Sequence, residues 1–295
     1  MKPAPFDYYA PTTTDEALAL LTEHGYDAKL LAGGQSLIPT MNFRLAQPAL
    51  LIDLNPITEL AYIQPAADGG LRIGAMTRQR ALEKSVLVAE RAPLLSATMP
   101  YIAHTQIRNR GTIGGSLAHA DPAAELPVIA VALDAQLKVR SQSGERWVAA
   151  QDFYMALFTT DLAPDEILVE IVLPPIAPRT GWSIQEISRR HGDYAIVGVA
   201  ANVTLDPQGR CAQARLVLLS VGEGPVQAHG AMGLLQGEKP TAELLTAAAE
   251  TCATQDIDPT ADIHASVAYR RQLAKVLTKR ALTEAFSRAT QGSSR

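Results

Sequence analysis

The chain has 295 residues, 47% of them hydrophobic and 19% charged, with a formal net charge of −4. That length supports two domains with a sizeable core, and the acidic balance leaves no basic footprint for nucleic acid. Two cysteines, Cys211 and Cys252, are too few for a four-thiolate iron–sulfur cluster and lack metal-ligand spacing.

The amino-terminal stretch Met1-Lys2-Pro3-Ala4-Pro5-Phe6-Asp7 has no apolar signal core. No run approaches the ~20 apolar residues needed to span a bilayer, so a cytoplasmic location without a membrane span is expected. Thr12-Thr13-Thr14-Asp15-Glu16 is a capping sequence ahead of Ala17-Leu18-Ala19-Leu20-Leu21 and predicts a helix over 12–25, stopped near Gly25. Ala28 to Leu31 predicts a short strand, and Leu50 to Leu54 another, broken at Asn55-Pro56. Asp68-Gly69-Gly70 is a turn signal before the alternating strand Leu71 to Ala75, after which Thr77 is placed to cap a helix through Leu82.

Asp121-Pro122 predicts the start of a helix rich in Ala, Leu and Val that runs through Leu133. Leu137 to Val139 and Trp147-Val148 suit a hairpin across Ser143-Gly144, and Ile167 to Leu173 a strand ending at Pro174-Pro175. The diproline and Ala177-Pro178-Arg179-Thr180-Gly181 form a linker near 178. Beyond it come strands over 195–205 and 215–221, turned at Pro207-Gln208-Gly209, and helices over 242–254 and 265–288. A polar tail closes the chain at Gln291 to Arg295. The pattern is α+β.

Two glycine pairs stand 80 residues apart in this frame. Ala32-Gly33-Gly34-Gln35-Ser36 follows the run Lys29-Leu30-Leu31, and Thr112-Ile113-Gly114-Gly115-Ser116 follows Arg108-Asn109-Arg110-Gly111. Successive glycines reach backbone conformations closed to other residues and form concave nests of N–H groups that bind anions. Either pair alone reads equally well as a tight turn. Neither matches the dinucleotide fingerprint or the phosphate loop that ends in Gly-Lys-Ser/Thr. Two such loops, each expected after a strand and flanked by hydroxyls, suit a pyrophosphate gripped from both sides. His104, His119 and His191 are not spaced as a zinc site. No Gly-x-Ser-x-Gly elbow of a serine hydrolase occurs.

The segments 30–39 and 111–116 resemble the two FAD-binding loops of the medium, flavoprotein subunits of the molybdenum hydroxylases. Carbon monoxide dehydrogenase, xanthine dehydrogenase and bacterial N-heterocycle dehydrogenases belong to that family. Further matching blocks are Met41-Asn42-Phe43-Arg44-Leu45-Ala46, Ile52-Asp53-Leu54, Ile73-Gly74-Ala75-Met76-Thr77, Asp121 to Pro127, Asp165-Glu166-Ile167-Leu168 and Arg189 to Ala195. The resemblance implies a vanillyl-oxidase-type (PCMH-type) two-subdomain FAD-binding fold over 1–177, with subdomains of about 1–56 and 57–177. A C-terminal domain of three-stranded antiparallel sheet plus helices over 178–290 follows.

The same resemblance assigns the cofactor contacts. Ala32, Gly33, Gly34, Gln35 and Ser36 fall on one side of the FAD pyrophosphate, and Thr112, Ile113, Gly114, Gly115 and Ser116 on the other. Leu37, Ile102 and Leu168 are implied as apolar contacts to the flavin end. Asp121 and Glu125, four residues apart and therefore expected on one helical face, are implied as acceptors from ribityl or ribose hydroxyls, capping being the other role for Asp121. Gln185 stands where some relatives carry a lysine near the ring, and that role is not carried over. Tyr194 is implied as an aromatic over one flavin face that gates access of an external acceptor, or else as an interface-packing residue.

By this resemblance the chain holds no substrate-oxidising residue. A large subunit with a molybdopterin-type cofactor oxidises substrate, and a small subunit with two [2Fe–2S] clusters relays electrons to FAD here. The acceptor is NAD, a quinone or another oxidant, and the assembly is a dimer of heterotrimers. The rival readings are a stand-alone FAD-dependent oxidase of the same fold and a binding module for another nucleotide.

Overall fold

The computed structural model describes residues 2–291; of the polar tail expected over 291–295, Gln291 closes the last helix and the rest lies outside the described residues. The first helix, Thr14–His24, begins as the sequence predicts: the Thr13 hydroxyl accepts from the Glu16 N–H while the Glu16 carboxylate accepts back from the cap. Ala17, Leu18 and Leu21 are its buried face. They share a core with Leu50, Ile52 and Leu54, beside a three-stranded parallel sheet. In that sheet Leu50–Asp53 lies between Asp7–Tyr9 and Ala28–Leu31. The central strand is buried along its whole length, as a strand flanked on both sides must be.

A five-stranded antiparallel sheet comes next, in the order Ile63–Pro65, Leu71–Gly74, Ile167–Leu173, Gln136–Ser141, Gly144–Ala149. Its central strand carries an irregularity between Leu168 and Glu170. The extra residue reverses the alternation of faces, so Leu168, Ile171 and Leu173 share one core while Ile167 and Val169 join the core under the parallel sheet. The expected hairpin is present, its two-residue turn falling at 142–143 because Ser141 pairs with Gly144.

Two helix starts differ from expectation. The Thr77 hydroxyl donates to the Tyr62 carbonyl at 2.9 Å instead of capping, and the helix Gln79–Lys84 has Arg78 at its cap position. The helix expected from Asp121 begins at Glu125 and ends at Ala132. Asp121 Oδ1 accepts from the Ala123 N–H at 2.9 Å, and the Asp121 carbonyl accepts from Ala124 at 3.0 Å. That turn outcompetes a helical start. Asp121 and Glu125 are therefore not two positions of one helical face. Every residue of Glu125–Ala132 is buried.

The last sheet is antiparallel: Thr180–Ser188, Ala195–Leu205, Cys211–Leu219 and the two-residue edge strand Val226–Gln227. The three long strands are those the family resemblance implies. Helix Val267–Gln291 covers this sheet through Ala274, Leu277, Ala281, Leu282 and Ala285. Helix Ala242–Thr251 passes into a π-turn at Cys252–Asp256. No helix among the described residues is long and apolar enough to cross a membrane.

Candidate cofactor site

The first glycine segment leaves the strand Ala28–Leu31 and enters the short helix Leu37–Asn42. Gly34 has φ +71, the left-handed region that glycine reaches without strain. The Gln35 side-chain amide donates to the Gly33 carbonyl at 2.9 Å and braces the turn. Among the described residues, the backbone N–H groups of Gly33, Gly34, Gln35 and Ser36 meet no protein acceptor, and all four residues are partly buried. Partly buried backbone donors require partners. Four in succession make a ready anion cradle.

The second glycine segment is built differently. It follows the short helix Thr105–Arg108 rather than a strand, and it forms the first turn of helix Ile113–His119. Thr112, buried, accepts from the Gly115 N–H at 3.1 Å. Ile113 N–H donates to Thr77 at 3.1 Å, Gly114 to Ala75 at 2.8 Å and Ser116 to Thr112 at 3.2 Å. These amides are thus committed within the protein, whereas the sequence reading has both loops offering free donors. The partly buried Ser116 is the hydroxyl of this segment left to a ligand.

The glycines bring the two segments into contact. A Cβ on Gly33 would lie 2.5 Å from the Arg110 carbonyl oxygen and 2.7 Å from Gly111 Cα, and one on Gly115 would lie 3.1 Å from Ala32 Cβ. A Cβ on Gly114 would lie 2.5 Å from Ala75 Cβ. Side chains at Gly33 and Gly114 would collide with protein, so these positions serve the approach of the loops to one another and to Ala75.

Two side chains that the sequence reading missed clamp the pair. Asn55 Nδ2 donates to the Ala32 carbonyl at 2.8 Å, and Arg78 Nη2 donates to Asn55 Oδ1 at 2.5 Å. A second Arg78 nitrogen donates to the Arg110 carbonyl. The Gln79 N–H donates to Gly111 at 2.9 Å. Asn55 was legible only as a strand terminator, and nothing local marks Arg78.

The remaining candidates fall into two groups. Ile102 and Leu168 are buried in the same core as Ile113 and Leu117, while Leu37 is the partly buried first residue of its helix. Asp121, Glu125 and Tyr194 come together electrostatically. Burial lifts the Glu125 carboxyl to about 7, its own N–H opposing and Asp121 adding to the rise. The Tyr194 phenol is raised by partial burial, then by Asp121 and Glu125. Tyr194 is 67% exposed and, with Pro122 and Ala123, lines a cavity of about 260 Å³. The adjoining turn is anchored where His191 stacks on His104 with ring centroids 6.2 Å apart. Gln185 donates to Glu284 at 2.9 Å.

The free N–H groups of Gly33 to Ser36 and the Ser116 hydroxyl fit a ligand with a pyrophosphate. Family comparisons agree. The FAD binding domain in molybdopterin dehydrogenase matches residues 4–176, and the CO dehydrogenase flavoprotein C-terminal domain matches residues 182–285. The 6-hydroxypseudooxynicotine dehydrogenase complex subunit alpha of Paenarthrobacter nicotinovorans is 43% identical over 98% of this chain and 97% of its own length. A chain of carbon monoxide dehydrogenase from Hydrogenophaga pseudoflava superposes with a TM-score of 0.94 at 38% identity, covering 98% of this chain and 99% of that one. A chain of quinoline 2-oxidoreductase from Pseudomonas putida 86 gives 0.92 at 38%, covering 99% and 100%. Matched over nearly its whole length by both domains and by these relatives, the chain belongs to the FAD-binding medium subunits of the molybdenum hydroxylases, the flavoprotein components of oxidoreductase complexes.

Proposed function

We propose that this chain receives electrons from [2Fe–2S] clusters of a small partner subunit and delivers them through FAD to an external acceptor. The observation that carries this reading is the cradle of four unpartnered N–H groups at Gly33 to Ser36, held against the second glycine segment. FAD, when bound, couples two-electron to one-electron transfer. Ala32 to Ser36 hold its pyrophosphate from one side, and Thr112 to Ser116 shape the other. Leu37, Ile102 and Leu168 flank the flavin, and Asp121 and Glu125 accept from its hydroxyls. Tyr194 controls access of the acceptor, which is NAD, a quinone or another oxidant.

Residues 1–177 form the FAD domain, divided near 56, and 178–290 the second domain. Substrate is oxidised at a molybdenum cofactor in a large subunit, within a cytoplasmic dimer of heterotrimers. Support for such partners comes from the relatives: one is a subunit of a dehydrogenase complex, and the Hydrogenophaga structure is of a carbon monoxide dehydrogenase that lacks the Mo-pyranopterin moiety of its molybdenum cofactor. The two cysteines here are both buried and unpaired, which is consistent with clusters housed elsewhere.

Isolation of the tagged chain from its native host tests this. Flavin absorption together with two partner chains, iron and molybdenum is the expected result. A colourless preparation with both partners present would overturn the cofactor assignment, and a flavin-bearing single chain that oxidises substrate would overturn the subunit role.

A further inference from the structure

The turn that carries Tyr194 is held from two sides. Within it, Arg189 Nε and Nη2 donate to Asp193 Oδ2 at 3.1 and 2.9 Å, and Asp193 Oδ1 accepts from the Tyr194 N–H at 3.0 Å. On the C-terminal side, Arg189 Nη1 lies 3.0 Å from His264 Nδ1. Toward residues 4–176, which the FAD binding domain matches, residues 189–194 form no hydrogen bond among the described residues. His104 reaches the turn from that side instead. Its ring stacks on His191 with 6.2 Å between centroids and 9° between planes, inside the range of about 4.5–7 Å at which offset rings attract. The same ring lies against Gly192: a Cβ there would stand 2.4 Å from His104 Cε1 and 2.6 Å from Nδ1. Gly192 has φ +79, so both the backbone and the ring require glycine at this position.

His104 is itself fixed in place. Arg108, buried and ion-paired to Glu83 at 2.9 Å, donates from Nη1 to the carbonyls of Ile102 at 2.8 Å and Ala103 at 3.1 Å. The His104 carbonyl accepts from the N–H groups of Ile107 at 2.9 Å and Arg108 at 3.1 Å. The loop that leads into the second glycine segment thus presents its imidazole to the turn from a braced backbone. We propose that His104 is a positioning residue for Tyr194: by stacking on His191 and occupying the space over Gly192, it sets where the Tyr194 ring stands. The consequence for electron delivery rests on the access role of Tyr194 stated above, whereas the seating of the ring does not. Both contacts are made by ring atoms, so another flat ring can serve and a methyl group cannot. His104, His191 and Tyr194 are all exposed, so truncation of His104 acts on the turn and leaves global stability near that of a surface substitution.

The test places 3-fluorotyrosine at position 194 of the flavin-loaded complex and follows its ¹⁹F signal; stopped-flow reoxidation by a bulky benzoquinone is measured on the unlabelled variants. In His104→Ala the ¹⁹F signal should shift or broaden while Tm stays close to the native value. Reoxidation should change in the direction that Tyr194→Ala changes it, by at least about twofold, the size of a measurable coupling between neighbours. His104→Phe, which keeps a flat ring, should restore both readouts. Gly192→Ala should behave like His104→Ala, because its Cβ drives the ring away. In the Tyr194→Ala background His104→Ala should add no further change in rate, a non-additivity that a merely structural role for His104 would not produce. An unchanged ¹⁹F signal in His104→Ala would overturn the proposal, as would a rate effect of the same size with Tyr194 absent. A shifted signal with rates that neither variant alters upholds the seating by His104 and sinks the access role of Tyr194.

Discussion

The side-chain amide of Asn55 donates to the carbonyl of Ala32 at 2.8 Å, and its oxygen accepts from Arg78 at 2.5 Å. The residue that ends the strand Leu50–Asp53 thus ties the first glycine segment to an arginine that also holds the Arg110 carbonyl of the second. Asn55→Ala removes the only side-chain bond to Ala32 among the described residues and leaves a guanidinium without one acceptor. A loss of about 1–3 kcal/mol is expected, much of it in loop placement. FAD affinity should fall roughly tenfold or more, with a smaller drop in Tm. Equilibrium dialysis against FAD, with a melting curve, checks this. Wild-type affinity in the variant would show that the clamp does not position the loop.

Gly33→Ala and Gly114→Ala should fail for different reasons. The Cβ at Gly33 meets the Arg110 carbonyl oxygen at 2.5 Å, between a partly buried glycine and an exposed arginine at the seam of the two loops. The Cβ at Gly114 meets Ala75 in a buried setting, where overpacking costs about 1–3 kcal/mol. Gly33→Ala should therefore lose FAD while keeping most of its Tm, and Gly114→Ala should lose both. FAD content per chain and thermal unfolding of each variant decide the matter. Equal loss of Tm in the two variants would contradict this division.

What the sequence disclosed follows from how local each signal is. The Thr13 cap, the strands at 28–31, 50–53 and 167–173 and the hairpin are set by neighbours within a few residues. They stand close to where the residues alone put them. The glycine segments were visible as a pair because both ends carry the same short signature. Their division of labour was not. Whether an amide of Gly114 is free depends on Ala75, and that of Ile113 on Thr77, dozens of residues away in sequence. Asp121 misled for a local reason, since an Asx turn and a helix start share the same residue types. Arg78 carries no pattern at all: it gains its role only when distant segments fold against it.

Chain stability should fall as pH rises through mildly acidic values because of Glu125. Its folded carboxyl is lifted to about 7 from the 4.5 of an unburied glutamate, so the native state binds a proton that the unfolded chain gives up. Stabilisation from that proton is complete below about 4.5 and is lost as pH rises to about 7, at most about 3 kcal/mol. Glu166 and Asp262 run the other way. Hydrogen bonds and ion pairing with Arg146 hold Glu166 down, and backbone donors with Arg270 hold Asp262 down, so their contributions disappear on strong acidification. Urea unfolding of the flavin-free chain across this range should show a decline that Glu125→Gln makes shallower, the remainder coming from Glu186, which burial lifts to about 8. An identical slope in that variant would assign the decline to other groups.

Tyr194→Ala separates electron delivery from cofactor retention. The ring is 67% exposed, and the pyrophosphate cradle at Gly33 to Ser36 is formed by other residues, so Tm and FAD content should stay within the small range of surface substitutions, about ±0.5 kcal/mol. The side chain nevertheless lines the cavity beside Pro122 and Ala123 and faces Asp121 and Glu125, and the proposed role in acceptor access predicts an effect on reoxidation. Stopped-flow reoxidation of the reduced complex should therefore change for bulky acceptors more than for small ones, with Tyr194→Phe close to the native rates if the ring acts by its bulk. Rates unchanged for every acceptor tried would leave Tyr194 as a residue of the turn between the two long strands, with no part in access to the flavin.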